Sequence, residues 1–185
     1  MPQYIAFLRG INVGGHRVKM DRLQELFEEL NLKDVSTFVA SGNVIFSADS
    51  GGVEALTETI ERHLARRLGY EVPTFLRSSA ELSAIVAFRP PEVGVGGPSP
   101  TSDHVIFLRS PASPAVRSLF EGLSSETDGF RFSRSEIYWR VQGKISESPL
   151  FEKEMGKALR GLSTTMRNMN TLRRIAGKVP HEGGG

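Results

Sequence analysis

The feature that most constrains this chain is an order of elements that occurs twice. Residues 3–9 (QYIAFLR) form an apolar run of strand type, and Met20, Leu23, Leu26, Phe27 and Leu30 follow at spacings of three and four, one face of a helix ending near Asn31. Residues 35–40 and 43–46 read as two strands joined at Ser41-Gly42. Leu56, Ile60, Leu64 and Leu68 mark a second helix stopped by Gly69, residues 72–77 a fourth strand, and Ser78 with Glu81 a capping box for a short helix to Ala87. Then the order returns. Residues 104–109 are a strand, and Ser113-Pro114 opens a helix with Val116, Leu119, Phe120 and Leu123 facing inward. Phe130 and Phe132, then Ile137, Trp139 and Val141, alternate as a hairpin, and Ser148-Pro149 opens a further helix. A strand at 162–167 and a helix at 168–176 close the set. Local wording repeats too: AFLRG (6–10) against IFLRS (106–110), TFLRS (74–78) against TTMRN (164–168).

This βαββαβ order predicts an α+β chain, a tandem duplication of two ferredoxin-like domains, each an antiparallel sheet with its helices on one face. The first domain spans 1–88, a proline- and glycine-dense linker 89–102, the second domain 103–178, and a flexible tail 179–185. In such a sheet the first and second strands run the same way. The loop leaving the first strand and the hairpin joining the second to the third therefore share one end.

That loop holds the chain's most distinctive chemistry. Within FLRGINVGGHRVKM (7–20) lie Gly10, Gly14 and Gly15, and no acid precedes Asp21. Backbone N–H groups of a glycine-rich loop that runs into a helix N-terminus can converge on an anion. Gly14, Gly15 and Lys19 are the expected core of such a site, with Arg9 as a clamp at the strand end and Asn12, Ser41 and Asn43 as orienting groups. Each has a plain structural alternative: a glycine turn, a paired arginine, amides that cap turns. A Walker loop is excluded, since Gly15 is followed by His-Arg-Val-Lys rather than Lys-Ser or Lys-Thr. A second polar cluster, Arg167, Asn168 and Asn170, sits at the start of the last helix, with Asn168 also placed to cap it. Tyr138 and Arg140 point away from Trp139, an aromatic-plus-arginine pattern that on an open sheet suits single-stranded nucleic acid.

Composition bounds the rest. The net charge is +2, so the protein is no general polycation, but residues 1–20 and 156–178 are both free of acids, the second stretch carrying six bases. There is no cysteine, hence no disulfide or thiolate metal site, and no His/Asp/Glu spacing of a metal centre; no cofactor is expected. The absence of an apolar run of membrane length or of a leader-like N-terminus predicts no membrane association and a cytoplasmic protein.

The strings LRGINVGG (8–15), VKM (18–20), SGNVIF (41–46) and TTMRNMNT (164–171) together resemble the bacterial family catalogued as domain of unknown function 1697. The resemblance implies a pair of ferredoxin-like domains and carries no assigned activity. The family usually has tryptophan where this chain has Met169, which removes any ring stacking there. The best reading is a module that binds a phosphate-bearing ligand, a phosphorylated small molecule or, with less support, a nucleic acid. The alternatives are an enzyme acting on a phosphorylated or nucleotide substrate through Lys19 or His16, and an interaction protein without a ligand. Binding is preferred because donors and cations abound, while acidic pairs and nucleophile–base sets are missing.

Overall fold

A computed structural model describes residues 1–38, 42–49, 51–93 and 100–179. Ser41, the linker residues 94–99 and the tail from Pro180 lie outside the described residues. The chain divides into two units, Met1–Val86 with Arg174–Gly185, and Ala87–Arg173. The boundary thus falls inside the last helix rather than after it.

The first unit holds β1 (Gln3–Leu8), α1 (Met20–Glu28), β2 (Lys33–Thr37), β3 (Asn43–Ser47), α2 (Val53–Leu68), β4 (Thr74–Ser78) and α3 (Ser79–Ala87), whose last residue is assigned to the other unit. Its sheet is ordered β2-β3-β1-β4, with β1 antiparallel to both β3 and β4 and β3 antiparallel to β2. Alternation sorts the side chains. Tyr4, Ala6, Leu8, Val44, Phe46 and Leu76 meet Leu23, Leu26 and Phe27 of α1 and Ile60 and Leu64 of α2 in one apolar core. Ile5, Phe7, Ile45 and Phe75, on the opposite face, are buried as well. Helix ends follow the sequence: Gly69 takes a left-handed φ of 82° and returns its N–H to Ala65 O. The capping box also forms, Ser78 N donating to Glu81 Oε2 at 2.8 Å and Glu81 N to Ser78 Oγ at 3.2 Å.

The second unit holds β5 (Thr101–Leu108), α4 (Pro114–Leu123), β6 (Asp128–Ser133), β7 (Glu136–Gln142), α5 (Lys153–Ala158), β8 (Thr164–Asn168) and most of α6 (Met169–Ala176). Its sheet is ordered β6-β7-β5-β8, the same connectivity as in the first. Two α+β units, each with a four-stranded antiparallel sheet, are what a duplicated chain requires. Trp139, Ile137 and Val141 pack with Phe120, Met155 and Ala158 on the helical side. Ser113 caps α4, accepting from Val116 N at 3.2 Å.

Two expectations are corrected. Leu119, placed inward by its spacing, is 47% exposed, because α4 buries only Phe120 fully and leaves its second row at the rim. Ser148-Pro149 does not open a helix. A 3-10 turn at Ile145–Glu147 precedes it and α5 starts only at Lys153. The Ser148 hydroxyl serves another purpose: it donates to Asp128 Oδ1 at 2.7 Å, where Trp139 Nε1 also donates at 2.8 Å. Thr127 Oγ1 donates to the second carboxylate oxygen at 2.8 Å, so three neutral donors hold a fully buried acid.

Candidate functional site

The site is built from the end of β1 outward. Leu8 N donates to Gly42 O at 2.8 Å and Arg9 N to Pro73 O at 2.9 Å, which fixes the point where the chain leaves the sheet. Ile11 turns back and is buried against the β2–β3 hairpin. A Cβ on Gly42 would stand 2.7 Å from Ile11 Cγ2, and Gly42 has a φ of +77°, so only glycine lets hairpin and loop come this close. Strand direction predicted this neighbourhood.

The loop then closes on itself. Asn12 Oδ1 accepts from Val18 N at 2.8 Å, and the His16 ring lies on Tyr70 with centroids 3.7 Å apart and planes 21° from parallel. Burial of the Tyr70 ring raises the pKa of its phenol, which remains a hydrogen-bond donor 3.5 Å from Ile11 O. Ile11, Asn12, His16 and Val18 thus serve as scaffold. Arg9, Gly14, Gly15, Arg17 and Lys19 are on the solvent side, exposed. Lys19 is the N-cap of α1 in extended conformation, and its side chain makes no capping hydrogen bond. A cationic rim therefore precedes a helix N-terminus, and the macrodipole adds partial positive charge there.

Asn43 is fully buried; its Nδ2 donates to Phe38 O and its own carbonyl accepts from Phe38 N, both at 2.9 Å. It pins the hairpin. Phe38 in turn lies under two cations of the C-terminal segment, with the Arg174 guanidinium and the Lys178 ammonium each 5.1 Å from its ring centre. Neither was singled out in the sequence, although both belong to the acid-free run 156–178, which was the available signal.

The second polar cluster belongs to the other unit. Arg167 is buried, donates to Thr165 Oγ1 at 2.7 Å and Met166 O at 2.8 Å, and its burial lowers its pKa to about 10. Its counterpart in the first unit, Arg77, is equally buried and donates to Leu76 O at 2.8 Å. The registers agree: Arg77 faces Ile5 as Arg167 faces Val105. Asn168 and Asn170 are exposed, and Asn168 Oδ1 accepts from Asn170 N at 2.8 Å, the turn expected of a capping asparagine. Met169 is buried, so at this position the chain uses its side chain for packing.

Tyr138 and Arg140 do not form an open platform. Phe88 stacks on Tyr138 at 4.1 Å, leaving it 3% exposed, and Arg140 grips Asp103 through two hydrogen bonds of 2.6 and 2.8 Å. Among the described residues no group of three His, Asp or Glu side chains is placed to hold a metal, and no helix is long and apolar enough to cross a membrane.

The family described as "Protein of unknown function (DUF1697)" matches residues 1–138. The chain belongs to the DUF1697 family. The matched part of this DUF1697 protein contains the glycine loop, the hairpin and the first six strands, and ends inside β7. A conserved bacterial protein from Streptococcus pneumoniae has a similar solved structure, at 22% identity and a TM-score of 0.74, over 96% of this chain and 98% of that one. At that identity the likeness carries the fold alone. No curated protein matches the sequence.

Proposed function

We propose that loop 9–19 of this DUF1697 protein binds a phosphate-bearing ligand, with Gly14, Gly15 and the start of α1 donating from the backbone and Arg9, Arg17 and Lys19 supplying charge. The observation that carries the reading is the combination of an α1 whose N-cap side chain makes no capping hydrogen bond with an exposed loop that holds cations and no acid before Asp21. The scaffold contacts of Asn12 and His16 support it, because a loop already held in shape loses less entropy when a ligand arrives. We read each unit as a ferredoxin-like module, supported by the strand orders, and the protein as cytoplasmic, supported by its lack of cysteine. His16 serves in this reading as a stacked support rather than a base.

The test is thermal shift against nucleotides, sugar phosphates and short oligonucleotides, for the wild type and an Arg9→Ala, Lys19→Ala double variant. Both residues are exposed, so the variant should fold normally while losing tenfold or more in affinity. Equal responses from the two proteins would remove the proposal. The salt dependence then separates ligand classes, a steep log-linear loss indicating several phosphates and a shallow one a small molecule.

A further inference from the structure

Two cations near the end of the chain converge on one aromatic ring. Arg174, Lys178 and Phe38 all belong to the first unit. Phe38 is held by its backbone: its N–H donates to Asn43 O and its carbonyl accepts from Asn43 Nδ2, both at 2.9 Å. The segment that covers it is held by apolar anchors, since Ile175 and Val179 are buried, and Ile175 O accepts from Lys178 N at 2.9 Å. Arg174 and Lys178 are four positions apart, neighbours on one side of that turn, and both are exposed. The guanidinium carbon and the ammonium nitrogen each stand 5.1 Å from the ring centre.

Like charges one turn apart repel, and the face of a phenyl ring offsets only part of that cost. Among the described residues neither head group meets a carboxylate or a backbone carbonyl, so the pair is spent neither on an ion pair nor on the helix end. The chain has no acid between Glu154 and Glu182, β3 carries none, and Asp34, the one acid of β2, is four residues from Phe38. We propose that Arg174 and Lys178, placed by the Phe38 ring, form a site for the dianionic phosphate group of a phosphomonoester, separate from loop 9–19. A guanidinium fork takes two phosphate oxygens and the ammonium a third, so the two positive charges match a dianion; a phosphodiester or a carboxylate, with one charge, leaves a cation unmatched. Phe38 is 8% exposed, so its ring holds the cations and offers no surface on which a base could stack. The group recognised is therefore a terminal phosphate and not a nucleobase.

The test is an NMR titration of the intact chain with methyl phosphate above the second ionisation of the ester, which lies near pH 6, beside dimethyl phosphate, which keeps the shape around phosphorus but holds a single charge. Saturable amide shifts are expected at Phe38 and 174–179, at least fivefold tighter for methyl phosphate. The Arg174→Gln, Lys178→Gln double variant, changed only at exposed positions, should fold normally and lose that response. The Arg9→Ala, Lys19→Ala variant should keep it, which separates the outcome at this site from the outcome at the glycine loop. The proposal is overturned if methyl phosphate gives no saturable shifts at Phe38 and 174–179, if the two esters bind alike, if the glutamine variant binds as the wild type does, or if the loop variant loses the response as well.

Discussion

After β1 the chain spends residues 9–19 on reaching α1; after β5 it reaches α4 through 109–113 alone. Both loops leave a strand through Leu-Arg (Leu8-Arg9, Leu108-Arg109), and both helices sit on the same kind of sheet. The difference lies in what each loop does with its helix. The short one caps it, Ser113 taking the Val116 N–H and Pro114 following at the first helical position. The long one ends on Lys19, whose side chain makes no cap, and places exposed cations ahead of a first turn that carries Asp21. A polar group satisfied internally stabilises a fold, while one left to solvent is available to a ligand. The second loop thus contributes to stability through its cap, while the first is the one to which we assign the proposed ligand.

The two units also differ in how their helical cores tolerate polarity, and this is where the largest effect is expected. Asp128→Ala strips three donors of their shared buried acceptor, so stability measured by urea unfolding should fall by about 3 kcal/mol. Asp128→Asn, which offers N–H to some of those donors, should not restore it fully. Next comes the contact that sets the first loop in place. Gly42→Ala should cost about 2 kcal/mol through its positive φ and the clash with Ile11, and in an Ile11→Ala background the same change should cost about half as much, leaving the φ strain and the close approach to Leu8 Cβ at 3.1 Å. Additive losses in that double-mutant cycle would show that hairpin and loop are not coupled as described.

A smaller effect concerns His104 in β5. Burial lowers its pKa, opposed by the charge of Asp103. The folded value lies below the unfolded one of about 6.5, so the unfolded chain takes up the proton first as pH falls. Stability should be unaffected by this group above that pH and decline as the pH drops below it. His104→Gln should flatten that part of the urea midpoint against pH. The smallest effect should come from His16→Ala, about 1 kcal/mol or less in global stability, seen instead as faster amide exchange in residues 10–18 once the stack on Tyr70 is gone.

Much of this architecture was legible in residues alone because it rests on local rules. Gly69, Ser78 with Glu81, and Ser113 with Pro114 end or begin helices through groups within a few positions of one another, and each does so here. The duplication was legible for the same reason, since Arg77 and Arg167 occupy matching registers inside matching words. What escaped depends on distant partners. Ser148 reads as a cap until Asp128, twenty residues away, claims its hydroxyl. Tyr138 reads as an exposed ring until Phe88 covers it. The stack of His16 on Tyr70 joins residues far apart in sequence, and Phe38 with Arg174 and Lys178 is joined across most of the chain. Periodicity carries no information about such pairs.

The most direct measurement is a two-dimensional NMR titration of the intact chain with inorganic pyrophosphate, following the amides of 9–20 and of 109–115 in one experiment. The expected result is saturable shifts at Gly14, Gly15 and the first turn of α1, absent from 109–115 and lost in the Arg9→Ala, Lys19→Ala variant. Shifts of equal size in both loops, or none in the first, would contradict the assignment of ligand chemistry to residues 9–19.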